Sequence, residues 1–555
     1  MDAKASRRNR IWTRRQIESQ IADGRKIIVF EGQVLKVDAW IPYHPGGDKS
    51  ILHMVGRDGT DEILALHSDG ARQLMQKYVV GRVEGRWSNL VPPIQGGKFR
   101  LQEDERHRQG ELAVEDSSSS ASTEPSPLFE PVEGPQHHLR HRYHADSSSV
   151  SSISDLGPES DPTSPFDKRT SDEIAADLAK YPSLAPSSQD HIIAKYRELN
   201  SRLYAAGLYN CSYSAYAVEC IRYTLLFIAF LVLLKYQYTA LAGLALGLFW
   251  HQLAFTLHDA GHMGITHSFQ IDSCIGIIVA DFIGGLSVGW WKRNHNVHHI
   301  VTNSPEHDPD IEHLPFFAIS HRFFSSLSST YYDRKMEFDA LARFSVKYQS
   351  YLYYPLLLFG RFNLYVNSWT YLLSPSQAPR KGPAWWHRYL ELVGQVFFWT
   401  WYGYFTVYRA VPTASSRILF ILISHMVTAP LHVQITLSHF AMSTADLGVH
   451  ESFAQRTLRT TMDVDCPPWL DFIHGGLQFQ AIHHLFPRLP RHNLRGAQKY
   501  VAEFCADVGI PYVRYGFVDG NKEVISRLGE VGKQVRIFEE CRRVAAGNFV
   551  NGHGH

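Results

Sequence analysis

Residues 239–262, TALAGLALGLFWHQLAFTLHDAGH, join a long apolar run to a pair of histidines. The apolar part is close to the ~20 residues that an α-helix needs to cross a bilayer. His258 and His262 are four positions apart and therefore lie one above the other on one helix face. The stretch predicts a membrane-spanning helix that carries two imidazoles where it leaves the membrane.

Two later stretches, HNVHH (295–299) and QAIHH (480–484), repeat a spacing of three and four residues beside apolar segments. The candidate catalytic and metal-binding side chains of the three clusters are His258, His262, His295, His298, His299, Gln480, His483 and His484. One such cluster in a chain with 30 histidines could be incidental. Three clusters with helical spacing indicate a shared site.

The ligand types limit the metal. Neutral imidazole binds zinc, copper and iron, whereas magnesium and calcium prefer oxygen ligands. Seven histidines and one glutamine exceed the four ligands of a zinc site. The clusters contain no cysteine that could hold an iron–sulfur centre. Two non-haem iron ions that share the imidazoles fit this ligand count best.

Other polar residues near the clusters are candidates for supporting roles. His439 lies at the end of the last apolar run and is a further candidate metal ligand, although it could also be a simple helix-end histidine. Asp259, Asn294 and Asp308 could orient ligand imidazoles through their second ring nitrogens, with exposed helix polarity as the alternative.

A shared metal site requires that all clusters leave the membrane on one side, so an even number of crossings must separate them. The apolar stretch at 274–291 is therefore expected to lie along the surface or to re-enter. The stretch at 350–373 is expected at the interface, because Arg361 and Asn363 are costly at mid-bilayer. Four spanning helices remain, at about residues 219–235, 239–257, 390–410 and 416–437, with the first two forming a hairpin.

The remaining sequence is polar. Residues 10–86 predict a compact domain that starts with a β-hairpin, with Glu31 and Gly32 at its turn. Residues 88–170 are rich in Ser, Pro and acids and predict a disordered linker. The formal charge of +1 gives no basic surface, so we expect no nucleic-acid partner. Six cysteines without paired spacing predict soluble parts in a reducing cytosol.

The clusters HDAGH, HNVHH and QAIHH resemble, in order and separation over residues 200–510, the three histidine boxes of membrane fatty-acyl and sphingolipid desaturases. In that family the boxes hold a di-iron centre that uses dioxygen and two electrons to remove two hydrogens from an alkyl chain. Gln480 stands where the third box often begins with His. At this position the chain resembles the front-end desaturases that are fused to a cytochrome b5-like domain.

The stretch between WIPYHPGGD and HSDGA (40–71) resembles that cytochrome b5-like domain. The resemblance implies that His44 and His67 fill both axial positions of a haem b, which leaves no site for dioxygen and limits this iron to electron transfer. It also implies that Gly46 and Gly47 let the backbone approach the porphyrin.

The surroundings of the second and third boxes look most like those of fungal delta-8 sphingolipid desaturases. That group acts on the long-chain base of ceramide-type lipids and usually gives a trans double bond. Ile482 stands where many front-end acyl desaturases carry Glu, which counts against an acyl-lipid substrate. The resemblance further implies an endoplasmic-reticulum membrane enzyme, with boxes and haem domain on the cytosolic face, that receives electrons from NADH-cytochrome b5 reductase.

The expected fold is mostly α-helical. Residues 1–87 are expected to form a small α+β haem domain, residues 88–170 the linker, and residues 171–555 a polytopic desaturase domain of four membrane helices with a cytosolic histidine-box cap. Three alternative functions stay open: a front-end acyl-lipid desaturase, a lipid hydroxylase with the same boxes, and a membrane-anchored haem electron carrier without enzymatic activity.

Overall fold

The computed structural model describes residues 8–97, 165–374, 377–379 and 381–551. Most of the predicted linker, residues 98–164, lies outside the described residues. Its two ends are structured: Leu90 is buried on the N-terminal domain, where its N–H donates to the Gly56 carbonyl, and a helix begins at Pro165. The described part of the chain is mostly α-helical, as predicted.

The N-terminal domain is a four-stranded sheet covered by short helices. Its strands are β1 (Ile11–Trp12), β2 (Ile27–Phe30), β3 (Gln33–Lys36) and β4 (Val79–Val83), in the order β1-β4-β3-β2. Its helices are α1 (Arg14–Ala22), α2 (Asp48–Leu52), α3 (Thr60–Leu66) and α4 (Asp69–Met75). Strands β2 and β3 form the predicted hairpin, and Glu31 and Gly32 at its turn have φ of 49° and 71°, as a type I′ turn requires.

The C-terminal domain is built from helices of very different lengths. In chain order they are α5 (Pro165–Lys180), α6 (Pro186–Ala205), α7 (Tyr213–Lys235), α8 (Thr239–Gly261), α9 (Phe269–Ile277), α10 (Val288–Val301), α11 (Ala340–Lys347), α12 (Gln349–Leu357), α13 (Gly360–Leu373), α14 (His387–Phe398), α15 (Ala414–Met426), α16 (Ala429–Phe440), α17 (Phe453–Thr460), α18 (Asp471–His474), α19 (Gln480–Leu485), α20 (Leu494–Val508) and α21 (Phe517–Asn551). Short strands pair as β5 (Ser328–Ser329) with β6 (Arg334–Lys335), antiparallel, and as β7 (Asp463–Asp465) with β8 (Arg514–Gly516), parallel.

Three helices among the described residues are long and apolar enough to cross a membrane: α7, α8 and the continuous α15–α16 unit, Ala414–Phe440. Helices α7 and α8 form the predicted hairpin. The next apolar segment continues α9 as a π-helix to Gly284 and then bends by 116° into α10. Such a bend suits the expected re-entrant segment, and it would be a fourth crossing only if the two arms together formed one broken span.

The predicted span at 390–410 is helical, but it is not among these candidate spans. Helix α14 and its π-helical continuation, Trp399–Ala410, do form one long helical segment, but it is not apolar enough to be a candidate span. The reason is its composition, since Trp and Tyr are frequent in it and Glu391 and Gln395 are buried within it. Trp and Tyr side chains favour the membrane interface over the hydrocarbon core.

Helix α8 packs closely on α15 through two glycines, Gly243 and Gly247. A Cβ atom at Gly247 would lie 2.7 Å from the Ser424 carbonyl oxygen and 2.7 Å from Val427 Cβ, and one at Gly243 would lie 3.1 Å from the Phe420 carbonyl oxygen. Small residues four positions apart let membrane helices approach to backbone contact. This packing fixes the helix that carries the first histidine cluster.

Candidate metal centre and haem site

The three predicted clusters meet beyond the ends of the membrane helices. His258 and His262 end α8, the second cluster lies on α10, and the third lies on α19. A buried carboxylate sets the start of α19, because Asp463 Oδ1 accepts from the Ala481 N–H at 2.8 Å while Tyr512 donates to its other oxygen. Asp463 was not predicted, and only the tertiary fold brings it to this helix.

The imidazoles form two neighbouring groups. In the first group, possible ligand atoms of His258, His262, His295 and His483 all lie within 4.8 Å of one another. In the second group, those of His298, His439 and His484 lie equally close. The structure thus brings the additional candidate His439 to the second group, with its ring centroid 4.6 Å from that of His298.

His299 lies between the two groups. Its ring stacks on that of His484 at 4.1 Å, and its Nε2 is 3.1 Å from His295 Nε2. Gln480 begins α19 and is 4% exposed. Seven of the eight predicted box residues therefore contribute a ring to this cluster of imidazoles. The eighth, Gln480, lies on α19, the short helix that carries the third box.

Many buried polar atoms of the cluster lack a hydrogen-bond partner among the described residues. They are His258 Nε2, His262 Nε2, His299 Nδ1, His439 Nδ1, Gln480 Oε1, His483 Nε2 and His484 Nε2. A buried polar atom without a partner costs free energy. Burial also lowers the pKa of His483 and His484 well below the usual value, so both rings are neutral, as metal ligands must be. The site therefore fits metal ions, and its two groups fit two.

Carboxylates hold the second nitrogens of the middle cluster. His298 Nδ1 lies 2.9 and 3.0 Å from the two oxygens of Asp308, which agrees with the predicted orienting role. Asp310 was not predicted: it accepts a hydrogen bond from Asn294 and lies 3.8 Å from His295 Nδ1. The repeated acids of HDPD, just after the second box, were the available sequence signal.

Asp259 does not contact an imidazole through the interactions that the structure shows. It instead accepts from Tyr216 and forms an ion pair with Arg491 at 3.1 Å. Arg491 also donates to Glu219, on α7, and it lies just after the third box. This buried network ties the first box helix to α7 and to the segment after the third box.

The predicted haem ligands face each other in the N-terminal domain. The ring centroids of His44 and His67 are 6.0 Å apart. His44 Nδ1 lies 2.6 Å from the Gly47 carbonyl oxygen and His67 Nδ1 lies 3.3 Å from that of Ile63, which leaves Nε2 of each ring available to an iron between them. Burial lowers the pKa of His67 to about 3, so the ring is neutral. These residues fit an axially ligated haem.

The two glycines after His44 contact the C-terminal domain. A Cβ atom at Gly47 would lie 2.7 Å from Arg293 Cγ, and one at Gly46 would lie 2.6 Å from Asn296 Nδ2 and 2.9 Å from Cε1 of His44. Their absent side chains thus permit close approach to α10, while the approach to a porphyrin stays a prediction.

Ion pairs surround this domain contact. Asp48, Asp61 and Glu62 of the N-terminal domain pair with arginines of the C-terminal domain. The pairs are Arg293–Asp48 at 2.9 Å, Arg197–Asp61 at 2.7 Å and Arg456–Glu62 at 3.0 Å. Two further pairs have the opposite polarity, Lys49–Asp333 at 2.6 Å and Arg86–Asp190 at 2.7 Å. An acidic face of the N-terminal domain therefore lies on a basic face beside the second box helix.

Comparison with known proteins agrees with this arrangement. A family model described as fatty acid desaturase matches residues 236–516, and one described as cytochrome b5-like heme/steroid binding domain matches residues 13–84. A delta 8-(E)-sphingolipid desaturase of Emericella nidulans is 61% identical over 98% of both chains. One of Candida albicans is 45% identical over 99% of this chain and 100% of its own. A delta(8)-fatty-acid desaturase of Helianthus annuus is 29% identical over 94% of both. The chain therefore belongs to the fatty acid desaturase family of membrane oxidoreductases, with a cytochrome b5-like domain preceding the desaturase region.

Proposed function

We propose that this chain introduces a trans double bond at the delta-8 position of the long-chain base of ceramide-type lipids. The observation that carries the proposal is the pair of adjacent imidazole groups whose buried ring nitrogens have no hydrogen-bond partner among the described residues. The names of the relatives from Emericella nidulans and Candida albicans support the choice of substrate and product.

In this proposal each imidazole group holds one non-haem iron. The first group supplies His258, His262, His295 and His483, the second supplies His298, His439 and His484, and His299 lies within reach of both. Gln480 offers a buried amide oxygen in place of a further imidazole. Iron held there would activate dioxygen. This activation is needed to remove hydrogen from an unactivated methylene group.

The protein itself contributes orientation and exclusion of water. Asp308 fixes the ring of His298 through Nδ1, which also raises the basicity of a metal-bound imidazole. The Trp291 indole stacks on the His295 ring at 4.5 Å and lies 5.5 Å from the rings of His258 and His262. It forms an apolar wall beside the first group that keeps water from the reacting carbons.

Electrons would reach this site from a haem b between His44 and His67. Asn296 follows His295 in sequence, and its side chain is 3.5 Å from the Gly46 carbonyl oxygen, two residues after His44. The haem domain therefore contacts the helix that carries the second box. We further propose that NADH-cytochrome b5 reductase recharges this haem at the cytosolic face of the endoplasmic reticulum. The free cysteines of the described residues suit a reducing compartment.

The test is expression of the full chain in a host that lacks unsaturated long-chain bases, followed by mass spectrometry of its lipids. We expect a long-chain base lighter by two hydrogens, with the double bond at position 8. Metal analysis of the purified protein should find one haem iron and two further irons per chain.

Each rival predicts a different result. New unsaturated fatty acids with unchanged long-chain bases would favour the acyl-lipid desaturase. A product heavier by one oxygen would favour the hydroxylase. Detection of haem iron alone, without a lipid product, would favour the membrane-anchored electron carrier.

A further inference from the structure

Arg488 joins the third histidine box to one of the two haem-ligand candidates. It lies four residues after His484, in the stretch HHLFPRLPR (483–491). Its Nη1 donates to the carbonyl oxygen of His67 at 3.2 Å, although the two residues are 421 positions apart in sequence. A side chain of the desaturase domain therefore reaches the backbone of an expected haem ligand.

The segment that carries Arg488 is held by packing. Phe486 and Leu489 are buried and close a turn, in which the Leu489 N–H donates to the Phe486 carbonyl oxygen at 3.0 Å. Ala65 of the haem domain, two residues before His67, belongs to the same buried apolar cluster as these two side chains. The contact between Arg488 and His67 thus lies beside a packed part of the domain interface.

The guanidinium of Arg488 has donors that the chain does not use. The residue is 6% exposed, and its buried Nε has no hydrogen-bond partner among the described residues. No carboxylate in the part of the chain that the structure describes forms an ion pair with it. A buried charge without an opposite charge is costly. The site therefore favours an anion from outside the polypeptide.

The other arginines of this interface differ from Arg488. Arg293, Arg197 and Arg456 each pair with a carboxylate of the haem domain. Arg488 instead contacts the main chain of a residue that would bind iron. Its role is therefore distinct from the charge pairing that surrounds it.

The space between the two haem-ligand candidates has cations close to it. Burial is the largest cause that lowers the pKa of His44, and the charge of Lys292 lowers it further while Asp48 opposes it. At His67 burial is again the largest cause, and the ring of His44 is the second. The charges of Arg488 and Lys292 lower the pKa of His67 as well. Charge interactions weaken with distance, so both cations lie near this space.

A haem b supplies an anion of the required kind. Its porphyrin carries two propionate groups, which are ionised at neutral pH like other carboxylates. A guanidinium is planar and can donate two parallel hydrogen bonds to one carboxylate. The backbone of an axial ligand borders the porphyrin, so a side chain bound to the His67 carbonyl is within reach of the porphyrin edge.

We propose that Arg488 of the desaturase domain binds a propionate of the haem, so that the second domain completes the haem site. The inference rests on the haem proposed between His44 and His67 and extends its site beyond the cytochrome b5-like domain. The contact exists only while the two domains are docked. Haem binding and docking of the domains therefore strengthen each other.

The test titrates haem-depleted full-length protein in detergent with haem b and with its dimethyl ester, in which both propionates are uncharged. The wild type should bind the ester about ten-fold more weakly, because a hydrogen bond between two charged groups is lost. Arg488→Gln keeps a donor for the His67 carbonyl but removes the charge. It should bind haem b about ten-fold more weakly than the wild type and should largely lose the preference for haem b over the ester.

Two further measurements separate this role from a structural one. Arg488→Lys keeps the charge, so it should retain most of the preference for haem b. Removing a positive charge beside the iron stabilises ferric haem, so the reduction potential should fall in Arg488→Gln.

The matched control is Arg197→Gln, which lies at the same interface but pairs with Asp61. It should leave the preference for haem b over the ester unchanged. Equal affinity of the wild type for the two haems, an undiminished preference in Arg488→Gln, or an equal loss in Arg197→Gln would each overturn the inference. A wild-type chain that binds no haem would instead refute the proposed haem site itself.

Discussion

His439 enters the second imidazole group from α16, a helix that carries none of the three boxes. Its ring lies 4.6 Å from that of His298 and 5.0 Å from that of His484. The Asn303 amide donates to the His439 carbonyl oxygen at 2.8 Å and so fastens this helix end to the segment after the second box. Single residues thus decide whether the second group has enough ligands for an ion.

We predict that His439→Ala removes one of the two non-haem irons. The second group would keep only two imidazoles, so iron should fall towards one non-haem ion per chain and desaturation by about 100-fold or more. Metal analysis and product formation measure the two effects. The exposed His450 provides the control, since His450→Ala should change neither. Two irons and full activity in His439→Ala would exclude this residue as a ligand.

Glu312 predicts a pH dependence of stability. Ser329 donates to its Oε2, and burial raises the pKa of this carboxyl to about 8. The folded protein then keeps a proton that the unfolded chain loses near pH 4.5, so the free energy of unfolding falls as pH rises from about 4.5 to about 8. Thermal unfolding between about pH 5 and about pH 8.5 measures the trend. Glu312→Gln should flatten it, and an equal slope in both proteins would refute the assignment.

At the scale of elements, the first box depends on how closely α8 approaches α15. The two glycines of this contact leave no room for a methyl group at Gly247. Any separation of the two helices would also move the end of α8, where the first box lies. The buried pairs of Arg491 with Asp259 and Glu219 hold the same end from the other side.

We predict that Gly247→Ala lowers the free energy of unfolding by about 1–3 kcal/mol, because the added methyl overpacks the contact with Ser424 and Val427. Gly529→Ala, in α21, is the matched control: its nearest neighbour is Ser350 Cβ at 3.9 Å, and Ala is the better helix former. Thermal unfolding in detergent compares the two. An unchanged free energy of unfolding in Gly247→Ala would show that the contact between the two helices can relax.

The sequence predicts elements well where the signal is local. The three- and four-residue spacings place the box imidazoles on helix faces without any knowledge of the fold. The contacts of Asp463 with α19 and of Arg491 with Asp259 depend on chain segments that meet only in the folded protein, so no local pattern reveals them. Mean hydropathy does not single out 390–410 as a candidate span, because its Trp and Tyr side chains lower the value, so that crossing stays a prediction.

At the scale of the molecule, the haem domain contacts the helix of the second box through an ion pair, Arg293–Asp48, and through a buried apolar cluster that joins Ile51 and Met54 to Val297 and Ile300. The resemblance to two known domains implied that both were present, and both match. It gave no information on how they fit together, because the contacts join residues far apart in sequence. The closeness of Gly46 and Gly47 to α10 shows that part of this domain's sequence serves the contact.

We predict that charge reversal at Glu62–Arg456 slows desaturation without affecting the haem. Glu62→Arg places two like charges together in a mostly buried contact, so product formation should fall about ten-fold. Reduction of the haem by an added chemical reductant should keep its rate. Adding Arg456→Glu should restore activity. Asp69→Lys, an exposed change of the same sign, should have no effect. Failure of the double variant to recover would argue against a docking role.

Asp48, Asp61 and Glu62 can serve one partner at a time. While they pair with arginines of the desaturase domain, a second protein that recognises the same acids cannot bind. A haem carries one electron, whereas each double bond consumes two, so the carrier must be reloaded midway through every turnover. We therefore expect each turnover to require departure and return of the haem domain, and this exchange must break both the ion pairs and the apolar cluster in which Ile51 and Met54 pack with Val297 and Ile300 of α10.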